Sequence, residues 1–218
     1  MRYFILIIHI VFLSALQAQE EQKPLPRFSV RANIGIPKVT SSKAFRTSFL
    51  GLYDANASMN VRLFSNFHIG VGYKNALMKA QDYFKQKNIY TKMQVHNGFI
   101  NIGYDRFYAE HSFATFGINA GYSFNKYTNV VPRADSLIRS TPPQFTTSFI
   151  EPSISFNFLV EDNFAIGAHI AYTYSLAKFD PSIPYIDKWL GYQSFSNNWN
   201  MSWLSFGFGF YYGLVRKK

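Results

Sequence analysis

The fold is indicated by residues 53–63, which read YDANASMNVRL. Apolar or small side chains occupy every second position from Tyr53 to Leu63, and polar side chains, beginning with Asp54, lie between them. Successive side chains of an extended strand point to opposite faces, so this stretch predicts a strand with one apolar and one polar face. Strands of soluble proteins are usually shorter, with about five or six residues.

The same two-residue period recurs in seven further segments, which predicts eight antiparallel strands. They cover residues 30–36, 67–74, 93–105, 116–124, 150–158, 164–175 and 204–212. In the fourth strand, residues 93–97 fit the phase opposite to that of 100–105, and this change predicts a bulge near Gly98. In the sixth strand, Pro152 lacks the N–H that a central ladder uses, and a second bulge is predicted there.

Composition and pattern together indicate that the apolar stripe faces lipid. The chain has 218 residues, of which 48% are apolar, 19% aromatic and 16% charged, and its formal net charge is +10. Beyond residue 16 no run approaches the roughly 20 apolar residues of a transmembrane helix, which excludes a helical membrane bundle. The other stripe is Gly, Ser, Asn or ionisable, and Tyr and Phe recur toward strand ends. Both features are typical of transmembrane β-barrels.

The N-terminus is predicted to be a targeting segment. Arg2 precedes an apolar stretch from Tyr3 to Leu16, and Ala18 completes a pattern typical of a signal peptidase site. We therefore expect a cleaved signal peptide at 1–18, a short periplasmic leader at 19–26 and a barrel domain at 27–218. The expected location is the bacterial outer membrane, and the alternative is an uncleaved membrane anchor.

The connections between the predicted strands alternate in length. The predicted short ones are residues 64–66, 106–111 and 159–163, and the predicted long ones are 37–51, 79–92, 126–144 and 177–199. With the N-terminus in the periplasm, every long connection lies outside the cell, as in outer-membrane barrels. The loop 177–199 carries acidic and aromatic residues that suit binding of a protein or glycan, or anchoring at the interface. These candidates are Asp187, Trp189, Tyr192 and Trp199.

The last predicted strand carries a motif that is similar to the insertion signal of outer-membrane barrels. The residues that match it are Ser205, Gly207, Phe210 and Tyr212. With the signal peptide and the eight alternating segments, the chain resembles small outer-membrane proteins of the OmpA/OmpX-like superfamily. The resemblance implies an all-β, eight-stranded, antiparallel, up-and-down transmembrane β-barrel. It also implies a monomer that contacts outer-membrane lipid, lipopolysaccharide and the outer-membrane assembly machinery.

Ionisable side chains on the inward stripe are the candidates for an interior site. An eight-stranded barrel is narrow enough for side chains to fill it, so an open pore is disfavoured. Charges inside it are costly unless paired. The predicted polar network contains Arg31, Asp54, Arg62, His68, Glu151 and His169, and Lys74 and Asp105 are also predicted to face inward. We expect Asp54 and Glu151 to neutralise Arg31 and Arg62, and the alternative is a gated ion path or ligand site.

No pattern of residues predicts catalysis. The chain lacks cysteine, His68 and His169 lack a third ligand at metal spacing, and no serine stands at a spacing that makes a nucleophile and base with histidine. We expect no cofactor, and no nucleic-acid partner because the basic residues are scattered. The predicted function is a structural or surface-interaction role through extracellular loops. The alternatives are a lipid-modifying barrel enzyme, a small channel or an accessory factor in export.

Overall fold

The computed structural model describes residues 26–41, 43–81, 90–130, 144–183 and 200–214. Eight strands and one short helix make up this part of the chain. They are β1 (Phe28–Val39), α1 (Lys43–Ser48), β2 (Phe49–Arg62), β3 (Phe67–Ala80), β4 (Tyr90–Ala109), β5 (Ser112–Val130), β6 (Gln144–Glu161), β7 (Phe164–Lys178) and β8 (Asn200–Leu214). No helix among these residues is long and apolar enough to cross a membrane.

Each strand pairs antiparallel with the next, and β8 pairs with β1, so the sheet closes into a barrel. The seam between β1 and β8 runs without a shift from Phe28 opposite Leu214 to Val39 opposite Trp203. Closure gives every strand a neighbour on both sides and removes sheet edges. The predicted fold class, an eight-stranded antiparallel up-and-down barrel, is confirmed.

Three tight turns lie at one end of the barrel, which we call the turn end. They comprise residues 63–66, 110–111 and 162–163. In the first, Ser65 has a φ of 46°, the left-handed conformation that a tight turn uses. The opposite end, which we call the loop end, contains α1 and the strand ends that flank residues 82–89, 131–143 and 184–199.

The apolar stripe points outward along the middle of every strand. Ile118 is 56% exposed and Phe208 is 70% exposed, whereas the inward side chains of Lys74 and Glu151 have no exposed surface. This arrangement is the reverse of that in a soluble β-barrel, whose apolar side chains fill the interior. It fits a barrel surrounded by lipid.

The strands extend further toward the loop end than the sequence predicted. Residues 37–39 belong to β1, 49–51 to β2 and 126–130 to β5, although all were predicted to lie in long connections. The alternation fails there because the inward side chains are apolar as well. At the turn end, β4 and β6 likewise continue to Ala109 and Glu161, beyond the predicted strand ends.

The predicted bulge near Gly98 is wrong. Strand β4 keeps one register with β3 from Lys92 to Tyr104. Met93 and Val95 imitate an opposite phase because they point into an apolar part of the barrel interior, where both are fully buried. The inward side chains change from polar to apolar at this height, and the backbone register stays the same.

The predicted bulge at Pro152 is also wrong. The β6–β7 ladder is interrupted at Glu151 and Pro152, and it resumes at Ser153 in the same register. The ladder with β5 continues through Pro152, which lies opposite Ile118. The missing N–H of proline therefore interrupts one ladder locally and adds no residue to the strand.

Candidate functional site

The barrel interior contains two clusters of charged side chains at different heights. The lower cluster, nearer the turn end, is built around the carboxylate of Asp105. Nη2 of Arg31 lies 3.0 Å from Oδ1 and 2.8 Å from Oδ2 of Asp105, and Thr115 donates a 2.7 Å hydrogen bond to Oδ1. Arg62 and His68 approach Oδ2 at 4.0 and 3.5 Å. Two guanidinium groups around one carboxylate give this cluster a formal charge of +1.

The upper cluster is built around the ammonium group of Lys74, which is fully buried. Nζ lies 2.7 Å from Oδ2 of Asp54, pairs with Glu151, and donates a 2.9 Å hydrogen bond to Thr173. Ser205 and Trp203 donate hydrogen bonds to the same oxygen of Asp54. One ammonium group between two carboxylates gives a formal charge of −1, which offsets that of the lower cluster.

All six residues of the predicted polar network lie inside the barrel, but the predicted pairs are wrong. Asp105 contacts Arg31 and Arg62, whereas Asp54 and Glu151 both pair with Lys74. The reason is height, because an inward charge pairs only with charges at its own level of the barrel. The distance of a residue from the tight turns gives only part of that height, because strand tilt and register set the rest.

Amide side chains connect the upper cluster to the space below it. Asn119 donates a 2.9 Å hydrogen bond to Oε1 of Glu151, and Asn101 donates a 2.6 Å hydrogen bond to Asn119. These amides border a cavity of about 40 Å³ that is also lined by Arg31 and His169. Such a volume holds about three water molecules, so the cavity is too small for a lipid or a sugar.

His169 is hydrogen-bonded to a serine on the neighbouring strand β6. Nδ1 of His169 lies 2.8 Å from Oγ of Ser155. Nucleophilic catalysis needs a serine that a substrate can reach. This pair borders the small cavity inside the barrel. Among the described residues, no group of three or more His, Asp or Glu side chains is placed to hold a metal ion.

Apolar side chains close the interior at both ends. At the loop end, α1 inserts Phe45 against Phe49 and Phe179, and together with strand residues they form a cluster that we call the upper core. Its buried members are Val39, Ala44, Phe45, Phe49, Ala76, Met78, Ala80, Met93, Val95, Tyr127, Phe179, Met201 and Trp203. At the turn end, a smaller cluster consists of Phe107, Phe113, Ala165 and Tyr211.

The remaining predicted residues fall on β8 or outside the described part of the chain. Ser205 and Gly207 face inward, whereas Phe210 and Tyr212 are exposed on the outer surface near the turn end. The loop candidates Asp187, Trp189, Tyr192 and Trp199 lie outside the described residues, as do the predicted signal peptide and residues 19–25 of the predicted leader.

No protein-family model matches the chain, and no curated protein matches its sequence. Solved structures do match. Neisserial surface protein A (NspA) aligns with a TM-score of 0.55 at 15% identity, over 88% of this chain and 100% of that one. OprG from Pseudomonas aeruginosa aligns with a TM-score of 0.49 at 8% identity, over 88% and 99%. Ail of Yersinia pestis, solved with the heparin analogue sucrose octasulfate, aligns with a TM-score of 0.46 at 10% identity, over 87% and 100%.

The chain therefore has the fold of an eight-stranded outer-membrane β-barrel. Within that class, the fold is similar to that of NspA, and at 15% identity the likeness concerns the fold alone.

Proposed function

We propose that the protein is an integral membrane protein of the bacterial outer membrane that presents extracellular segments for contact with other molecules and performs no catalysis. One observation carries the proposal. Along the middle of the strands the outer surface is apolar and the interior is charged, while at the loop end the interior is apolar and the outer surface bears lysine and amide side chains among exposed leucines such as Leu50. The side chains at each height suit the surrounding solvent, which is lipid along the middle of the strands and water at the loop end.

Strand length supports the placement of the loop end outside the membrane. A tilted transmembrane strand needs about 9–11 residues, whereas β4 has 20 and β5 has 19. The excess supports a position of the upper core and the loop-end parts of β4 and β5 beyond the membrane. A packed upper core then supports the strand ends that adjoin residues 82–89, 131–143 and 184–199.

The packed interior favours a surface role over a channel. An ion that crosses the barrel has to pass the upper core, the Lys74 cluster, the Asp105 cluster and the aromatic side chains at the turn end. Buried, hydrogen-bonded charges of this kind are costly to separate. The inward position of Ser155 and His169, away from the lipid-facing surface, likewise favours a structural role for that hydrogen bond over chemistry on a lipid.

We further propose that Asp187, Trp189, Tyr192 and Trp199 bind a protein or a glycan outside the cell. Aromatic residues are enriched at binding surfaces because they bury a large area at a small loss of side-chain entropy. Export through a cleaved signal peptide, folding by the outer-membrane assembly machinery and a monomeric state belong to the same proposal.

Single-cysteine labelling tests the location and the orientation, because the chain contains no native cysteine. Trp189→Cys places a thiol in the proposed extracellular loop, and Glu110→Cys places one in an exposed turn at the turn end. In intact cells, a membrane-impermeant maleimide is expected to label Trp189→Cys and to label Glu110→Cys only after the outer membrane is permeabilised. The reverse pattern, or recovery of the protein in the soluble fraction, would overturn the proposal.

The surface role requires a separate test. Replacing residues 184–199 with a short Gly-Ser linker removes the proposed binding residues, and a heat-modifiable gel band verifies that the barrel still folds. Binding of the purified barrel to immobilised glycans and extracellular proteins is expected to fall to background. A matched variant that changes only Ser194 and Asn197 is expected to keep its binding. Binding that survives the loop replacement contradicts a role for this loop, and conductance steps of the purified barrel in planar bilayers would favour a channel.

A further inference from the structure

The cavity inside the barrel lies between the two charged clusters. On its wall, Arg31 pairs with Asp105 of the lower cluster, and Asn119 donates to Glu151 of the upper cluster. Two basic side chains, Arg31 and His169, line the cavity, and among the described residues no aspartate or glutamate does. The rest of the wall consists mainly of amide and hydroxyl side chains. A polar cavity with basic but no acidic side chains on its wall favours an anion over a cation.

Arg31 keeps one N–H group that the lower cluster does not use. Its Nη2 contacts both carboxylate oxygens of Asp105, and its Nη1 donates a 3.1 Å hydrogen bond to Thr115. Nε of Arg31 is buried and has no hydrogen-bond partner among the described residues. A guanidinium group carries donors only and stays charged. Because a buried donor without an acceptor is costly, this N–H favours an acceptor in the cavity.

His169 provides a second nitrogen of this kind. The residue is 7% exposed, and its Nε2 has no hydrogen-bond partner among the described residues. Its Nδ1 lies 2.8 Å from the hydroxyl oxygen of Ser155. When that hydroxyl donates to Nδ1, the proton of the neutral ring is on Nε2. An anion in the cavity selects this tautomer, because only then does Nε2 donate a hydrogen bond.

Asn56 provides further donors because its oxygen is already used. Nδ2 of Asn33 donates a 2.8 Å hydrogen bond to Oδ1 of Asn56, and both residues line the cavity. With its oxygen turned toward Asn33, the amide of Asn56 has its two N–H groups left for a ligand. Donors from β1, β2 and β7 therefore border the same small space.

Volume and charge limit the ligand to a small monovalent anion. A cavity of about 40 Å³ holds about three water molecules, which is enough for a halide ion with one or two waters. The lower cluster has a formal charge of +1, and one anion beside Arg31 neutralises it. Glu151 does not line the cavity, and its carboxylate is held by Lys74, Thr173 and Asn119.

We propose that the barrel interior binds one chloride ion, held by Nε of Arg31, Nε2 of His169 and the amide of Asn56. The site involves none of the loops, so it goes beyond the proposed surface role and does not depend on it. Arg31 on β1 and His169 on β7 border one cavity only in the closed barrel. Chloride therefore binds the folded state alone, and the stability of the barrel rises with the chloride concentration.

The chloride dependence of unfolding tests the site. The full chain, folded in phosphatidylcholine vesicles, is unfolded with urea in mixtures of sodium chloride and sodium gluconate at constant ionic strength. The urea midpoint of the wild type is expected to rise with chloride. Asn56→Ala is expected to weaken the apparent chloride affinity about tenfold or more, as when a hydrogen bond to a charged group is lost. The matched control, Asn60→Ala, removes another buried amide of β2 that does not line the cavity, and it should keep the chloride dependence.

Asn56→Asp separates an anion site from an effect of packing. Its carboxylate takes the place of the ion beside Arg31, so the midpoint in gluconate should approach that of the wild type in chloride and should not rise further when chloride is added. Wild-type crystals soaked in bromide should show an anomalous peak in the cavity. A wild-type midpoint that is independent of chloride, with no bromide peak, would mean that the cavity holds water only and would overturn the proposal. Equal chloride dependence in the wild type, Asn56→Ala and Asn56→Asp would overturn it as well, because it would be a general effect of salt.

Discussion

At the loop end, Phe45, Phe49 and Trp203 fill the barrel interior, whereas a few residues lower the same barrel turns Lys74 and Glu151 inward. The outer wall changes in the opposite sense, from lysines among leucines at the loop end to isoleucine and phenylalanine in the middle. Most strands continue through both levels with the same alternation of faces, and β2 changes phase at a bulge between Gly51 and Tyr53. Water selects an apolar interior and lipid selects an apolar exterior, so the chemistry of a strand face reports the solvent at that height.

The largest expected difference between the two levels comes from Lys74→Met, which removes the only ammonium group from the upper cluster and leaves Asp54 and Glu151 buried without a cation. The free energy of unfolding should fall by about 3–5 kcal/mol. Denaturant titration in phosphatidylcholine vesicles measures it, with Lys38→Met on the outer surface as the control, which should change it by less than about 0.5 kcal/mol. A similar small effect for both variants would mean that the upper cluster contributes little to stability.

The upper core should respond like the core of a soluble protein. Met93→Ala removes a fully buried side chain and leaves a cavity, so we expect a loss of about 2–5 kcal/mol. The adjacent Gln94→Ala changes the outward face at the same height and should cost less than about 0.5 kcal/mol. Equal effects in the same titration would show that Met93 is not enclosed. The inward face at the loop end would then not form an apolar core.

Substitution by arginine at two heights locates the boundary at which the surroundings of the outer surface change from lipid to water. Ile118→Arg puts a charge on the apolar belt and should cost about 2–4 kcal/mol, whereas Thr146→Arg, on the outward face of β6 near the loop end, should cost about 0–1 kcal/mol. The measurement is the same vesicle titration. A large cost at Thr146 would place the membrane boundary closer to the loop end than we propose.

The smallest expected difference is between two glycines on neighbouring strands. Gly72 on β3 faces the barrel interior, and Gly98 on β4 faces outward. Gly72→Ala adds a methyl group that overlaps the Phe99 ring inside the barrel and should cost about 1–3 kcal/mol. Gly98→Ala adds one where no atom lies within 4 Å, and stability should be unchanged or higher by up to about 1 kcal/mol. If Gly72→Ala is tolerated equally well, then the ring of Phe99 and the backbone at Ala57 move without cost and the interior is less tightly packed.

The sequence was sufficient to predict the strands and the solvent of the middle of the barrel, because residues such as Ile118 and Phe208 alternate with Gly and Asn. It was misleading at Met93 and Val95, where apolar residues face inward and the pattern imitates a bulge. It also did not show that Arg31 pairs with Asp105, because pairing across a barrel depends on register and strand tilt together. The inserted helix α1 has six residues, too short for its own periodicity to be recognised.

The seam between β1 and β8 has a consequence for biosynthesis. The first and last strands of the chain are neighbours, so the barrel cannot close until β8 has been made. Until then, β1 and β7 each present an open edge with unpaired N–H and C=O groups, on which strands of another molecule can add. A chain truncated before Asn200 should therefore accumulate as aggregates, whereas the closed barrel has no edge left to protect.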